Sequence, residues 1–219
     1  IYCPRGDMRV EPQAKRAYVF LDGQNLFHSA KESFGYETAN YDPQKLAAWV
    51  CSRKGWELER VCFCTGIHSE EVNPGLYRFW TRRLIVMRSR GIHTYSRTLS
   101  YRPRELRLPD GTTRAFRIGQ EKGIDVHLAV DVLRFAYEGL YDVGIVFSQD
   151  QDLTEVANAV KALSLAHDRW IKLASAFPRG PRTKNARGID GTDWIPIDRH
   201  DYDQCLDPID YFAPLSHRR

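Results

Sequence analysis

No stretch of this chain reaches the roughly 18 consecutive apolar residues that would cross a bilayer, and no basic-then-apolar leader opens it. A cytoplasmic protein without membrane contact is expected, and Ile1 in place of Met suggests a natural start further upstream. Paired cysteine spacings are also missing. Cys3, Cys51, Cys62, Cys64 and Cys205 are odd in number and scattered, without the CxxC pairs of a zinc knuckle. They read as reduced thiols, with Cys62 and Cys64 as small apolar residues on one face of a strand. His28, His68, His93 and His127 form neither HxxH nor HExxH, so they read as non-ligands, with His127 at a pocket edge. Negative charge is scarce in one region: between Arg78 and Arg117 eleven arginines face only Glu105 and Asp110.

What is present is enough for one large domain. The 219 residues are 42% apolar, which suffices to bury a full core. An apolar run over 17–22 reads as a strand, Gln24–Phe34 as a short helix, and 43–54 as a helix opened by Asp42 as cap and Pro43 in its first turn. A strand at 57–64, a helix at 75–90 closed by Gly91, and a short strand at 92–95 follow. Segment 97–118 breaks the rhythm, because two alternating runs flank Pro109-Asp-Gly111, the signal of an inserted hairpin, and many of the arginines fall on it. A helix at 122–137, a strand at 142–147, a helix at 151–165 and a strand at 170–174 resume the alternation, and 194–198 reads as a closing strand. This order predicts an α/β three-layer sandwich: a mostly parallel central sheet, helices on both faces, and a basic β-hairpin inserted. Residues 1–16 are read as an N-terminal extension, 17–199 as the domain, and 200–219 as a C-terminal helix and tail, mobile from 207 onward.

The aspartates carry the chemistry. Asp22 ends the first strand, Asp125 opens the helix after Glu121-Lys-Gly-Ile124, and Asp150 and Asp152 follow the strand ending near Phe147. Carboxylates gathered at one sheet edge repel one another unless a cation joins them. Asp22, Asp125 and Asp150 are therefore the expected ligands of a hard divalent cation. Such an ion can lower the pKa of water and stabilise a leaving alkoxide, which suits phosphodiester hydrolysis. Asn25, holding the loop after Asp22, and Ser148, orienting Asp150, are expected to support the ligands. Lys122 is placed to meet the scissile phosphate, while Arg83, Arg102, Arg104 and Arg107 form a basic wall for the flanking ones, with Tyr95, Tyr101 and Phe116 as stacking candidates. Asp131, about 600° of helical rotation from Asp125, falls off the active face and is read as a partner of Arg134.

Three segments carry a resemblance. Asp22-Gly-Gln-Asn25, Glu121-Lys-Gly-Ile-Asp125-Val-His-Leu-Ala and Ser148-Gln-Asp150-Gln-Asp152-Leu resemble the three signature blocks of the NYN domain, in the LabA-like branch of the PIN-like nucleases. The likeness runs from Ala17 to Lys172, and Trp194-Ile-Pro-Ile-Asp198 is similar to the last strand of that family. It implies a parallel sheet, a Mg²⁺ or Mn²⁺ site on Asp22, Asp125 and Asp150 with Asp152 as the fourth acid, and cleavage of RNA. Gln149 departs from the pattern, standing where many relatives carry Gly.

The expected partner is nucleic acid, RNA ahead of DNA, and the chain is compatible with a homodimer. Two other classes compete. A haloacid-dehalogenase-like phosphatase also uses a strand-end aspartate and Mg²⁺, but needs a second aspartate where Gln24 stands. The other is a catalytically silent nucleic-acid-binding module of the same fold.

Overall fold

The structure is a computed structural model describing residues 9–108 and 111–213, without the side chain of Phe116. β1 (Arg16–Asp22) leads into α1 (Gly23–Phe34) and α2 (Pro43–Lys54), followed by β2 (Glu57–Ile67), α3 (Pro74–Ser89) and β3 (His93–Thr98). Then come β4 (Ser100–Arg107), β5 (Thr113–Gln120), α4 (Ile124–Tyr137), β6 (Val143–Phe147) and a 3-10 turn at Gln151–Leu153. α5 (Thr154–Ala166), β7 (Lys172–Pro178), β8 (Asp193–Ile197) and α6 (Arg199–Asp203) complete the order.

Local chemistry sets several of these boundaries. The Asp42 carboxylate accepts from Gln44 N and Lys45 N, Pro43 takes the first turn of α2, and Gly55 ends that helix with φ 66°. Asn73 caps α3 in the same way, through Leu76 N. β4 and β5 pair antiparallel from Ser100↔Gln120 to Arg107↔Thr113 as a separate two-stranded sheet, which is the inserted hairpin. The Pro109-Asp110 part of its expected turn lies outside the described residues, as do Cys3, the start of the N-terminal extension, and residues 214–219.

The central sheet has the order β3-β2-β1-β6-β7-β8 and every neighbouring pair is parallel. Alternation along β1 assigns its two faces: Ala17, Val19 and Leu21 join one core with residues of α1, α2 and α3, while Tyr18 and Phe20 join the other with α4 and α5. Cys62 and Cys64 belong to that second core, and Cys51, Cys62, Cys64 and Cys205 are free and buried. β8 is an outer strand with Pro196 near its end.

From β1 the chain first winds outward through β2 and β3, then returns to place β6 on the other side of β1. The carboxyl ends of β1 and β6 therefore flank the point where the winding reverses, where an open α/β sheet leaves a crevice. Among the described residues no helix is long and apolar enough to cross a membrane.

At the C-terminus, expected as a mobile tail from 207 onward, the described residues are anchored on α3 through Tyr211 and Phe212. Tyr211 is buried and meets Phe79 edge-on at 5.8 Å, Phe212 stacks on Phe79 at 4.6 Å, and Tyr211 Oη donates to Asp207 Oδ2 at 2.7 Å. Two aromatics on an exposed edge of α3 are enough to dock a segment whose prolines and aspartates read as loop.

Candidate active site

Asp22 is the last residue of β1 and also the cap of α1: its Oδ1 accepts from Gln24 N at 3.2 Å and Asn25 N at 3.0 Å. Capping alone does not need burial, yet Asp22 is only 9% exposed. Burial, with the charges of Asp150 and Asp125 added, pushes its carboxyl up to about 6 against the lowering effect of the two amides. Among the described residues Oδ2 has no hydrogen-bond donor.

Asp150 follows β6 and caps the 3-10 turn, accepting from Asp152 N at 3.0 Å, while its own amide donates to Ser148 Oγ at 3.2 Å. Ser148 is buried, and its carbonyl accepts from Ser175 Oγ, so the expected orienting contact exists and is itself tied to β7. Asn25 works differently from expectation. Its side-chain Oδ1 accepts from Gln149 N at 3.1 Å, joining α1 to the loop after β6, so that it couples the two aspartate loops and does not merely brace its own. Asp125 sits in the first turn of α4, exposed; Gly123 precedes that helix at φ 70°, and no side chain caps its amides.

A fourth carboxylate was missed by sequence reasoning. Glu121, directly after β5, accepts from Gly66 N at the end of β2, and burial with the charges of Asp22 and Asp125 pushes it up to about 7. A Cβ on Gly66 would lie 2.4 Å from Glu121 Oε1, so only glycine leaves room for this contact. The signal was available: Glu121 opens the second block of the resemblance, but the strand was read as ending before it.

Asp22, Glu121, Asp125 and Asp150 line one cleft of about 610 Å³, together with Gln24, Asn25, His28 and His68. No lysine or arginine lines it among the described residues. In the same set, no three acidic, histidine or cysteine side chains converge as a ligand set for one ion.

Other expected residues divide. Arg102, Arg104 and Arg107 are exposed on β4, and Lys122 is exposed beside Asp125, its carbonyl accepting from Arg97. The hairpin base is anchored to the cleft rim: Leu99 N donates to Ile67 O, and Tyr101 Oη accepts from Ser69 N and meets His68 Nδ1 at 3.1 Å. Asp152 is exposed and outside the cleft lining.

Arg83 is a correction. It is fully buried, its guanidinium donates to the carbonyls of Ala39 and Tyr41, and it lies over the Tyr41 ring at 4.6 Å, so it braces α3 and cannot stand in a phosphate-binding wall. Tyr95 stacks on His127, which leaves the cleft lining to His28 and His68, and Tyr101 is held by its hydroxyl. The stacking expected of Phe116 lies outside the described residues. Asp131 is buried and pairs with Arg134 at 2.9 Å, as the helical rotation argued.

A six-stranded, all-parallel sheet flanked by helices, with acidic side chains where its winding reverses, defines a PIN-like protein, a nuclease-type fold. The NYN domain matches residues 16–167, from β1 to just past α5, and the chain belongs to the NYN domain family. Among curated proteins none matches. Among solved structures the chain is similar to that of a protein of unknown function, VPA0982 from Vibrio parahaemolyticus. The identity is 16% and the TM-score 0.49, covering 88% of this chain and 98% of that one; so loose a likeness carries no functional argument.

Proposed function

We propose that this protein is a divalent-metal-dependent nuclease, of the LabA-like branch, that hydrolyses phosphodiester bonds in RNA. The observation that carries the reading is the cleft where the sheet reverses its winding: four carboxylates, two of them shifted upward, and, among the described residues, no lysine or arginine in its lining. Structural acids are normally paired; uncompensated ones in a crevice mark a functional site. Carboxylate donors with excess negative charge fit Mg²⁺ or Mn²⁺.

When bound, the ion would neutralise charge on the phosphate and acidify the attacking water. Asp22 and Asp150, fixed by cap and loop hydrogen bonds, would hold it with Asp125. Asp152 would serve only in a wider coordination shell. Glu121, half-buried at the rim of the same cleft and pushed up to about 7 while no cation is bound, would stand where it can accept a proton from water. Asn25 and Ser148 keep the two aspartate loops in register. Lys122 and the hairpin arginines Arg102, Arg104 and Arg107 would hold phosphates to one side of the cut, with RNA favoured over DNA by family likeness.

A silent nucleic-acid-binding module is the second reading, favoured by the spread of the cleft acids, no three of which converge on one point among the described residues. The deciding experiment is a cleavage assay on labelled single-stranded RNA and DNA in parallel, with and without Mn²⁺, alongside a generic phosphomonoester. Metal-dependent cutting that Asp22→Asn abolishes supports the proposal. Binding without cutting would establish the silent module, and Asp22-dependent release of phosphate from the monoester alone would establish a phosphatase.

A further inference from the structure

The departure at Gln149 and a basic loop elsewhere in the chain explain each other. Between β7 and β8, residues 179–190 carry Arg179, Arg182, Lys184 and Arg187 against the single acid Asp190, and all four cations are exposed. β7 runs parallel to β6, so this loop leaves the sheet at the same edge as Asp22 and Asp150.

Gln149, only 9% exposed, spends its side-chain amide nitrogen there. Its Nε2 donates to Asn185 O at 2.7 Å and Arg187 O at 2.8 Å, while its Oε1 accepts from Ser29 Oγ. Gln151, on the other side of Asp150, donates to Gly188 O at 2.9 Å and accepts from Asp190 N at 3.2 Å. Two glutamines flanking a cleft aspartate thus pin the backbone of an exposed cationic loop. Lys184 Nζ has no partner among the described residues. Arg187 pairs only with the exposed Asp190, a contact worth little in water. A glycine at 149 would remove the two bonds to Asn185 and Arg187 and loosen the middle of the loop.

The hairpin leaves β3 on one side of the cleft and this loop leaves β7 on the other, with β2, β1 and β6 between them. Four strand spacings put the two basic elements about 19 Å apart, with the carboxylates between. At a rise of about 3.4 Å per nucleotide, roughly six stacked nucleotides of one strand span that gap.

We propose that residues 179–190 are a second phosphate-holding element. A single nucleic-acid strand would then lie across the carboxyl edge of the sheet, from hairpin to loop, with an internal phosphate over the carboxylates. The inference rests on the nuclease reading and deepens it: the loop would hold phosphates on the opposite side of the carboxylates from the hairpin.

The test has two arms. The first measures anisotropy binding of a labelled 12-nucleotide single strand to the Asp150→Asn protein across a salt series. Replacing Arg182, Lys184 and Arg187 together with Ala should weaken binding at least about tenfold and flatten the slope of log K against log salt by more than about one unit. Gln149→Ala should flatten the slope too, although it removes no charge, because it loosens the loop at Asn185 and Arg187; a purely structural role would leave the slope alone. The second arm offers the wild-type protein a circular single strand with Mn²⁺, and linearised product is expected. Unchanged affinity and slope in the triple variant, or circles left intact while linear strands are consumed, would overturn the inference and leave the nuclease reading standing. A wild-type protein that neither binds nor cuts nucleic acid would remove both.

Discussion

The central pair of strands, β1 and β6, meets a buried carboxylate at each edge of the sheet, Asp142 at one and Asp22 at the other, and the two edges behave oppositely. Before β6, Asp142 is buried like Asp22, but Arg16 clamps it through Nε, Nη2 and the backbone amide, and Arg169 approaches to 3.7 Å. Burial alone would raise its pKa; the bonds from Arg16 and the two guanidinium charges outweigh that and hold it below the usual carboxylate range. At the other end Asp22 and Glu121 meet backbone amides and more carboxylates, and both are pushed up. One end is built for stability, whereas the other stores repulsion until something positive arrives.

The largest effect expected from that contrast is on activity. Asp22→Asn should lower kcat by on the order of 10³-fold or more, and adding Asp150→Asn should scarcely worsen it, because the cleft acids act as a unit. The same variant, free of metal at pH 8, should melt higher than the wild type, since Asn caps a helix about as well as Asp and one repelling charge is gone. A lower melting temperature would mean that the cleft charges are compensated after all.

Asp142→Asn should do the reverse. Removing one partner of a buried pair commonly costs several kcal/mol, and discounting for the part-exposed Arg16 leaves about 2 kcal/mol, or roughly 4–8 °C in Tm. Activity measured well below that Tm should stay within about twofold of the wild type. Because the folded pKa is depressed, this stabilisation is complete above 3.8 and is lost as the pH falls through the lower folded value.

The cleft end has the opposite pH signature. Folded Asp22 and Glu121 keep their protons to about 6 and about 7, whereas the unfolded chain releases them near 3.8 and 4.5. The folded state therefore binds more protons in that window, and metal-free stability should fall as pH rises from about 4 to 7. Chemical denaturation at several pH values checks this. Mn²⁺ should flatten the slope, because it binds the deprotonated carboxylates of the folded form and so stabilises it more as the pH rises, and Glu121→Gln should remove its upper part. Asp152→Asn should change least, by less than about threefold in kcat, because Asp152 is exposed and outside the cleft.

How much of this could be read from sequence depended on whether the determining contact was local. α2 has the expected bounds because Asp42, Pro43 and Gly55 punctuate it within the chain itself. Asp131 was set aside by helical rotation alone. Arg83 was misplaced because nothing local distinguishes a solvated helix arginine from one buried over a tyrosine more than forty residues away. Gln149 looked like a defect for a related reason: its partners, Asn185 and Arg187, lie in a loop whose course no periodicity reveals. Glu121 was hidden by a strand boundary, since β5 runs on to Gln120.

The outer strand β8 bears on how copies of this protein meet. An unpaired sheet edge invites another strand to add to it, and aggregation often begins there. Pro196 pairs with Phe177 from the inner side, and its nitrogen has no hydrogen to offer a strand arriving from solvent. Five residues long and interrupted by that proline, β8 is a poor template, so self-association by continuing the sheet past this edge is disfavoured at high protein concentration.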